Sequence, residues 1–185
     1  GGKTLQLAAM MQNRGEIFAV DPNSIRLQAL RKRTKRAGAS TVRVMETSAF
    51  ESKAVDFSAF FDAALVDAPC SGLGTIRRNP GLKWSVDTKS IEELSEKQFQ
   101  ILTSNADVVK KGGRLFYATC TMLKEENELV IERFLKSRPD FLLADAGELA
   151  QKWNFSQCVE GGFLILLPNR HGTDGFFCAV LERAS

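Results

Sequence analysis

Asp67-Ala-Pro-Cys70-Ser-Gly72 and Tyr117-Ala-Thr-Cys120 place one carboxylate and two thiols just past two apolar runs. The first run, Phe61 to Val66, ends at Asp67 and turns through Pro-Cys into a glycine. The second, Arg114 to Ala118, ends at Thr119-Cys120. In open parallel sheets, ligands lie outside the carboxyl ends of the strands, and neighbouring strands are about 4.8 Å apart. If the two runs pair, Cys70 and Cys120 face one pocket. A structural turn with a chance cysteine is the plain alternative for the first segment.

Two thiols and a carboxylate suit one reaction. Carbon 5 of cytosine is too weak a nucleophile to attack a sulfonium methyl. A thiolate that adds to carbon 6 turns the ring into an enamine, which is nucleophilic at carbon 5. A carboxyl group at ring nitrogen 3 stabilises the developing charge. A second base then removes the carbon 5 proton so that the first thiol can leave.

Two further features belong to nucleotide-binding folds. Gly1-Gly2-Lys3-Thr4 is a glycine turn of the kind that follows a strand and opens a helix. Asp21 ends the next strand, where an acidic side chain accepts hydrogen bonds from a ribose diol. An aspartate that only caps the following helix fits that position equally well. No strand precedes the glycine turn, so the chain reads as starting inside its cofactor motif. We expect such a fragment to bind cofactor poorly and to be inactive by itself.

The elements that must position these residues follow from periodicity and breakers. Helices are predicted over residues 3–13, 22–37, 91–110 and 125–137, with strands over 16–20, 41–45, 61–66, 114–118, 163–167 and 176–181. Gly15 and Gly38 close the first two helices. Strands alternating with helices predict an α/β chain with a doubly wound, mostly parallel sheet. The last two strands have no helix between them, so one of them should run antiparallel.

The 185 residues, 44% hydrophobic and 25% charged, suit one catalytic domain over 1–185 with an ordinary core. No apolar run nears the roughly 20 residues of a membrane span, and no signal peptide opens the chain. Four cysteines without metal-ligand spacing and a single histidine, His171, argue against a metal site and for reduced thiols in a cytoplasm. Between Pro22 and Met45 lie Arg26, Arg31, Lys32, Arg33, Lys35, Arg36 and Arg43 with no acidic residue. That run is either a solvated helix face or a phosphate-contacting surface. Arg77, Arg78 and Trp84 could grip phosphate and stack on a flipped base, or Trp84 could pack on the domain. His171 reads as structural or solvent-exposed rather than catalytic, Cys158 and Cys178 as small buried apolar side chains, and Phe176 and Phe177 as core.

Gly1-Gly-Lys-Thr4, Asp67-Ala-Pro-Cys-Ser-Gly72, Arg77-Arg-Asn-Pro80 with Lys83-Trp84, Tyr117-Ala-Thr-Cys120, Glu125-Glu-Asn127 and Asp174-Gly-Phe-Phe177 occur in that order. Together they resemble the Sun/RsmB family of RNA cytosine-C5 methyltransferases over nearly the whole chain. The resemblance implies a Rossmann-like methyltransferase fold that uses S-adenosyl-L-methionine. It implies Cys120 as nucleophile, Cys70 as the residue assisting product release, and a cofactor site lined by Gly1, Gly2, Lys3, Asp21 and Asp67. It implies RNA as the partner, with small-subunit rRNA as the expected substrate, and we expect a monomer. The family also carries an opening strand with Ala-Ala-Pro, an RNA-binding N-terminal region, and an aspartate near the adenine. This chain lacks the first two, and counting from Asp21 puts Thr47 at the third, followed by Ser48.

Three other readings compete. Gly2-Lys3-Thr4 matches the end of a P-loop, with Asp67 as its magnesium ligand, but a nucleotidase has no use for Cys70 and Cys120. An RNA-binding relic with a damaged cofactor site would not need both cysteines. An amino-group methyltransferase needs no thiol nucleophile.

Overall fold

The computed structural model describes residues 1–52, 56–152 and 154–185. They form two compact units, Gly1–Asp56 and Phe57–Ser185.

The first unit contains α1 (Gly2–Met10), β1 (Ile17–Asp21), α2 (Ser24–Arg36), β2 (Val42–Glu46) and α3 (Thr47–Phe50). β1 and β2 pair in parallel, with Asp21 opposite Glu46. Asn23 accepts the Arg26 N–H at 3.0 Å and so caps α2. Pro22 therefore lies before the cap and not inside the first turn. α1 ends at Met10, before Gly15, because Gln12 and Asn13 take left-handed conformations, at φ 53° and 55°. Ala8, Leu27 and Leu30 form the buried apolar contacts of this unit. Much of the basic run has local work. Arg33, Lys35 and Arg36 occupy the last turn of α2, where cations complement the helix dipole. Arg31 donates to the Val44 carbonyl at 3.2 Å, and Arg43 pairs with Glu16 at 3.1 Å.

The second unit contains β3 (Phe61–Asp67), α4 (Leu82–Ser85), α5 (Thr88–Ser104), β4 (Val109–Thr119), α6 (Glu128–Ser137), β5 (Phe141–Leu143), α7 (Ala146–Lys152), β6 (Val159–Glu160), β7 (Phe163–Leu166), α8 (Pro168–His171) and β8 (Phe176–Arg183). Its sheet has the order β3-β4-β8-β7-β6, with β5 also paired to β8. β3 and β4 are parallel, β8 runs antiparallel to β4, and β7 runs antiparallel to β8. One of the last two strands thus opposes the direction of β4, as their short connection requires. The parallel pairs are those that lead into the candidate site residues, and antiparallel pairing is confined to the C-terminal half.

Alternate residues of three strands face one core: Val66 on β3, Leu115 and Tyr117 on β4, and Phe177, Ala179 and Leu181 on β8. Leu102 of α5 and Val130, Ile131 and Phe134 of α6 cover them, all at most 1% exposed. α5 starts at a capping box in which Asp87 and Ser90 satisfy each other's backbone N–H groups. It stops at Ser104, where Asn105 Nδ2 takes the Ile101 carbonyl at 2.8 Å. Val109 and Lys110, expected at the helix end, instead begin β4. No described helix is long and apolar enough to cross a membrane.

Candidate active site

β3 and β4 end side by side, with Asp67 in register with Ala118. The Ala68 N–H donates to the Ala118 carbonyl at 2.9 Å, which carries the pairing one step past β3. The two turns leaving these strands therefore start from one edge of the sheet. Their cysteines meet: Cys70 Sγ lies 3.3 Å from Cys120 Sγ, and the Cys120 N–H points at Cys70 Sγ at 3.4 Å. Both cysteines are partly exposed. Asp67 is exposed on the same edge.

The Cys120 contact, with burial second, pushes the Cys70 thiol far above its ordinary range. Two thiolates at this separation would repel each other, so the pair holds on to at least one proton. Cys70 keeps it.

A buried polar network holds the two turns in place. The Glu126 carboxylate, 0% exposed, accepts from the Ser71 N–H at 2.8 Å and from Ser71 Oγ at 2.5 Å. Ser71 Oγ also meets Thr121 Oγ1 at 3.0 Å, which ties the residue after Cys70 to the residue after Cys120. Gln98 Nε2, from α5, donates to Glu126 Oε1 at 3.0 Å and to the Pro69 carbonyl at 2.8 Å. Tyr117 donates its hydroxyl to the Glu126 carbonyl at 2.6 Å. Asn127 reaches Thr119 Oγ1 at 2.6 Å and donates to the Thr121 carbonyl at 3.2 Å.

A glycine clasp adds a third segment. Gly74 donates its N–H to the Cys120 carbonyl at 2.9 Å, and Gly175 donates to the Gly74 carbonyl at 2.8 Å. A Cβ on Gly74 would fall 2.5 Å from the Gly175 oxygen and 2.7 Å from the Cys120 oxygen. Only glycine permits that approach.

Comparison with known proteins places this arrangement in a family. The sequence profile described as "16S rRNA methyltransferase RsmB/F" matches residues 1–182. The chain belongs to the RsmB/F methyltransferase family. It is 38% identical over 184 residues to the "Probable ribosomal RNA small subunit methyltransferase B" of Synechocystis sp., covering 100% of this chain and 41% of that protein. It is 36% identical over 189 residues to the ribosomal RNA small subunit methyltransferase F of Aeromonas salmonicida, covering 99% and 38%. Among solved structures, NSun6 from Pyrococcus horikoshii with SFG matches at a TM-score of 0.81 and 29% identity, covering 100% of this chain and 46% of that one. The chain thus spans about two fifths of the curated relatives it matches. The fold is the Rossmann-like α/β fold of S-adenosylmethionine-dependent methyltransferases, as the family resemblance implied.

In this RsmB/F chain the expected cofactor residues Gly1, Gly2, Lys3, Asp21 and Thr47 all lie in the first unit. Gly1 caps α1, with Gly2 and Lys3 in its first turn, and a Cβ on Gly2 would meet nothing within 4 Å. Asp21 Oδ1 accepts the Asn23 N–H at 2.7 Å. Its Oδ2 pairs with Arg26 at 3.8 Å. Thr47 is the first residue of α3, directly after β2. Asp67 belongs to the second unit.

The remaining RsmB/F motifs find distinct places. Trp84 does not pack on its unit: it is 83% exposed, with Lys83 Nζ 5.1 Å from its ring centroid. Arg78 forms an ion pair with Asp174. His171 is structural, since its Nδ1 accepts the Leu167 N–H at 2.9 Å. Cys158 is buried, and burial pushes the Cys178 thiol up to about 11. Among the described residues no group of three or more His, Cys, Asp or Glu is placed to hold a metal ion.

Sequence reasoning missed Gln98 and the separate importance of Glu126. Glu125-Glu-Asn127 was the one signal available for the latter.

Proposed function

We propose that this chain is the catalytic part, acting as one domain over 1–185, of an enzyme that methylates carbon 5 of a cytidine in small-subunit rRNA through a covalent cysteine adduct. The observation that carries the reading is the 3.3 Å contact between Cys70 and Cys120 at the ends of parallel strands. The names of the relatives support rRNA as the substrate. The relative solved with SFG, an analogue of S-adenosylmethionine, supports that cofactor.

S-adenosyl-L-methionine, when bound, supplies an electrophilic methyl group on sulfur. The open backbone at Gly2 and the Asp21 carboxylate at the end of β1 suit a cofactor with a ribose diol, and Lys3 and Thr47 are assigned with Gly1 to the same task. Cys120 adds to carbon 6 as the thiolate, and the carbon 5–carbon 6 π electrons move to carbon 5. The raised Cys70 thiol stays protonated beside it and can hydrogen-bond the Cys120 sulfur before attack. Asp67 faces the ring at nitrogen 3, where charge builds up. After methyl transfer a base takes the carbon 5 proton, that bond pair restores the double bond, and the carbon 6–sulfur bond breaks. Cys70 is the group beside that departing sulfur. The reading requires no metal, and we place the parent enzyme in the cytoplasm as a monomer.

Nucleoside mass spectrometry of in vitro transcribed 16S rRNA, after incubation with the full-length parent and S-adenosyl-L-methionine, tests the product. Appearance of 5-methylcytidine supports the reading. Methylation at a nitrogen or a ribose oxygen overturns it.

A further inference from the structure

The segment leaving the Cys70 turn carries the most exposed large apolar side chain of the described residues, Trp84. It is a short, braced loop. Gly72 takes a left-handed conformation, at φ 73°, and Leu82 of α4 packs against it: the Leu82 Cδ1 lies 3.5 Å from where a Gly72 Cβ would be. This anchors α4 two residues from Cys70. Asn79 Nδ2 bonds Thr75 Oγ1 at 3.1 Å within the loop. Arg78 joins Asp174 beside the Gly74–Gly175 clasp.

Trp84 follows Leu82 by two residues on α4, so the indole points away from the side that Leu82 buries. Tryptophan combines a large apolar face with a polar N–H and is enriched at interfaces. The surroundings are cationic. Lys83 stands over the ring, and Arg77 and Arg78 keep side-chain exposures of 63% and 66%.

We propose that Trp84 is a stacking platform for a base of single-stranded RNA at the rim of the thiol site, with Arg77 and Lys83 contacting the adjoining phosphates. The inference rests on the RNA methyltransferase reading. Every base has a π face that an indole accepts without regard to sequence, and the nearby cations match the charge of the backbone. An exposed aromatic near the reacting cysteines keeps the strand open where a cytosine must leave its stack.

The test uses the full-length parent with in vitro transcribed 16S rRNA. Trp84→Ala should raise the KM for RNA about tenfold, the usual effect of losing one base–aromatic stack, with kcat and Tm little changed. Trp84→Phe should restore most of the affinity. Replacing Arg77 and Lys83 together by Gln should reduce the slope of log affinity against log salt by roughly 1.4, as expected for two single-strand phosphate contacts. An unchanged KM in Trp84→Ala overturns the proposal. So does a KM increase accompanied by a lower Tm, which would show that another part of the parent protein covers the indole. If wild-type enzyme makes no 5-methylcytidine in this RNA, the underlying reading fails instead.

Discussion

Glu126 and Ser71 are joined twice, through the Ser71 N–H at 2.8 Å and its hydroxyl at 2.5 Å, although 55 residues separate them. Ser71 follows Cys70 directly, and Glu126 lies on the segment that follows Cys120. One buried carboxylate thus sets the distance between the two thiols from behind. We expect Glu126→Ala to leave the Ser71 N–H without an acceptor and the Gln98 amide with only the Pro69 carbonyl. A buried unsatisfied donor costs about 1–3 kcal/mol, so the urea midpoint should fall clearly. Glu126→Gln keeps an acceptor and should lose less. Methylation by the alanine variant should also drop at temperatures where it remains folded, because the cysteine turns are no longer held together.

Gly74 and Gly81 offer a paired comparison a few residues apart. A Cβ on Gly74 meets backbone at 2.5 Å, whereas one on Gly81 meets nothing within 4 Å, at φ −63°. Gly74→Ala should therefore separate the clasp from the Cys120 turn, with a loss of more than about 3 kcal/mol. Gly81→Ala should be neutral or stabilising by about 0.4–1 kcal/mol, through a less flexible unfolded chain. Thermal unfolding of both variants distinguishes these outcomes. Equal destabilisation would contradict the clasp.

The two cysteine turns and Asp67 were legible in the sequence because each follows an apolar run and ends in a turn, where parallel sheets expose side chains. The supports behind them were not. Gln98 lies between Lys97 and Phe99 in a helix whose other polar residues are mostly solvated, and one sequence does not show that α5 turns this amide inward. Glu125 and Glu126 look alike in sequence, yet one is exposed and the other fully buried. The end of α5 was misplaced because Val108 and Val109 continue the apolar pattern beyond the cap at Asn105. β5 and β6, at three and two residues, are too short to show alternation. Trp84 was open between packing and exposure, and only the fold decided it.

Alkaline pH should weaken the fold. Burial raises the Cys178 thiol from 9.0 to about 11. The Cys120 contact and burial raise Cys70, and burial foremost raises Tyr117. In each case the unfolded chain releases its proton first. The stability these groups contribute is fully present below the ordinary thiol range and is lost as pH climbs through it toward the folded-state values. With reductant present, the urea midpoint should fall between about pH 8 and about pH 10.5, and by less in Cys178→Ala. A midpoint independent of pH would contradict the assigned burial.

The division of labour between the thiols tests the central claim most directly. Full-length parent enzyme carrying Cys70→Ala, Cys120→Ser or both is incubated with in vitro transcribed 16S rRNA and S-adenosyl-L-methionine, then run on a denaturing gel. A serine hydroxyl is a far weaker nucleophile than a thiolate near neutral pH. The account predicts a slow-migrating protein–RNA band with Cys70→Ala, which forms the adduct and stalls, and no band with Cys120→Ser or the double variant. A band with Cys120→Ser and none with Cys70→Ala would reverse the two roles. No band with any variant, while the wild type methylates, would contradict covalent catalysis.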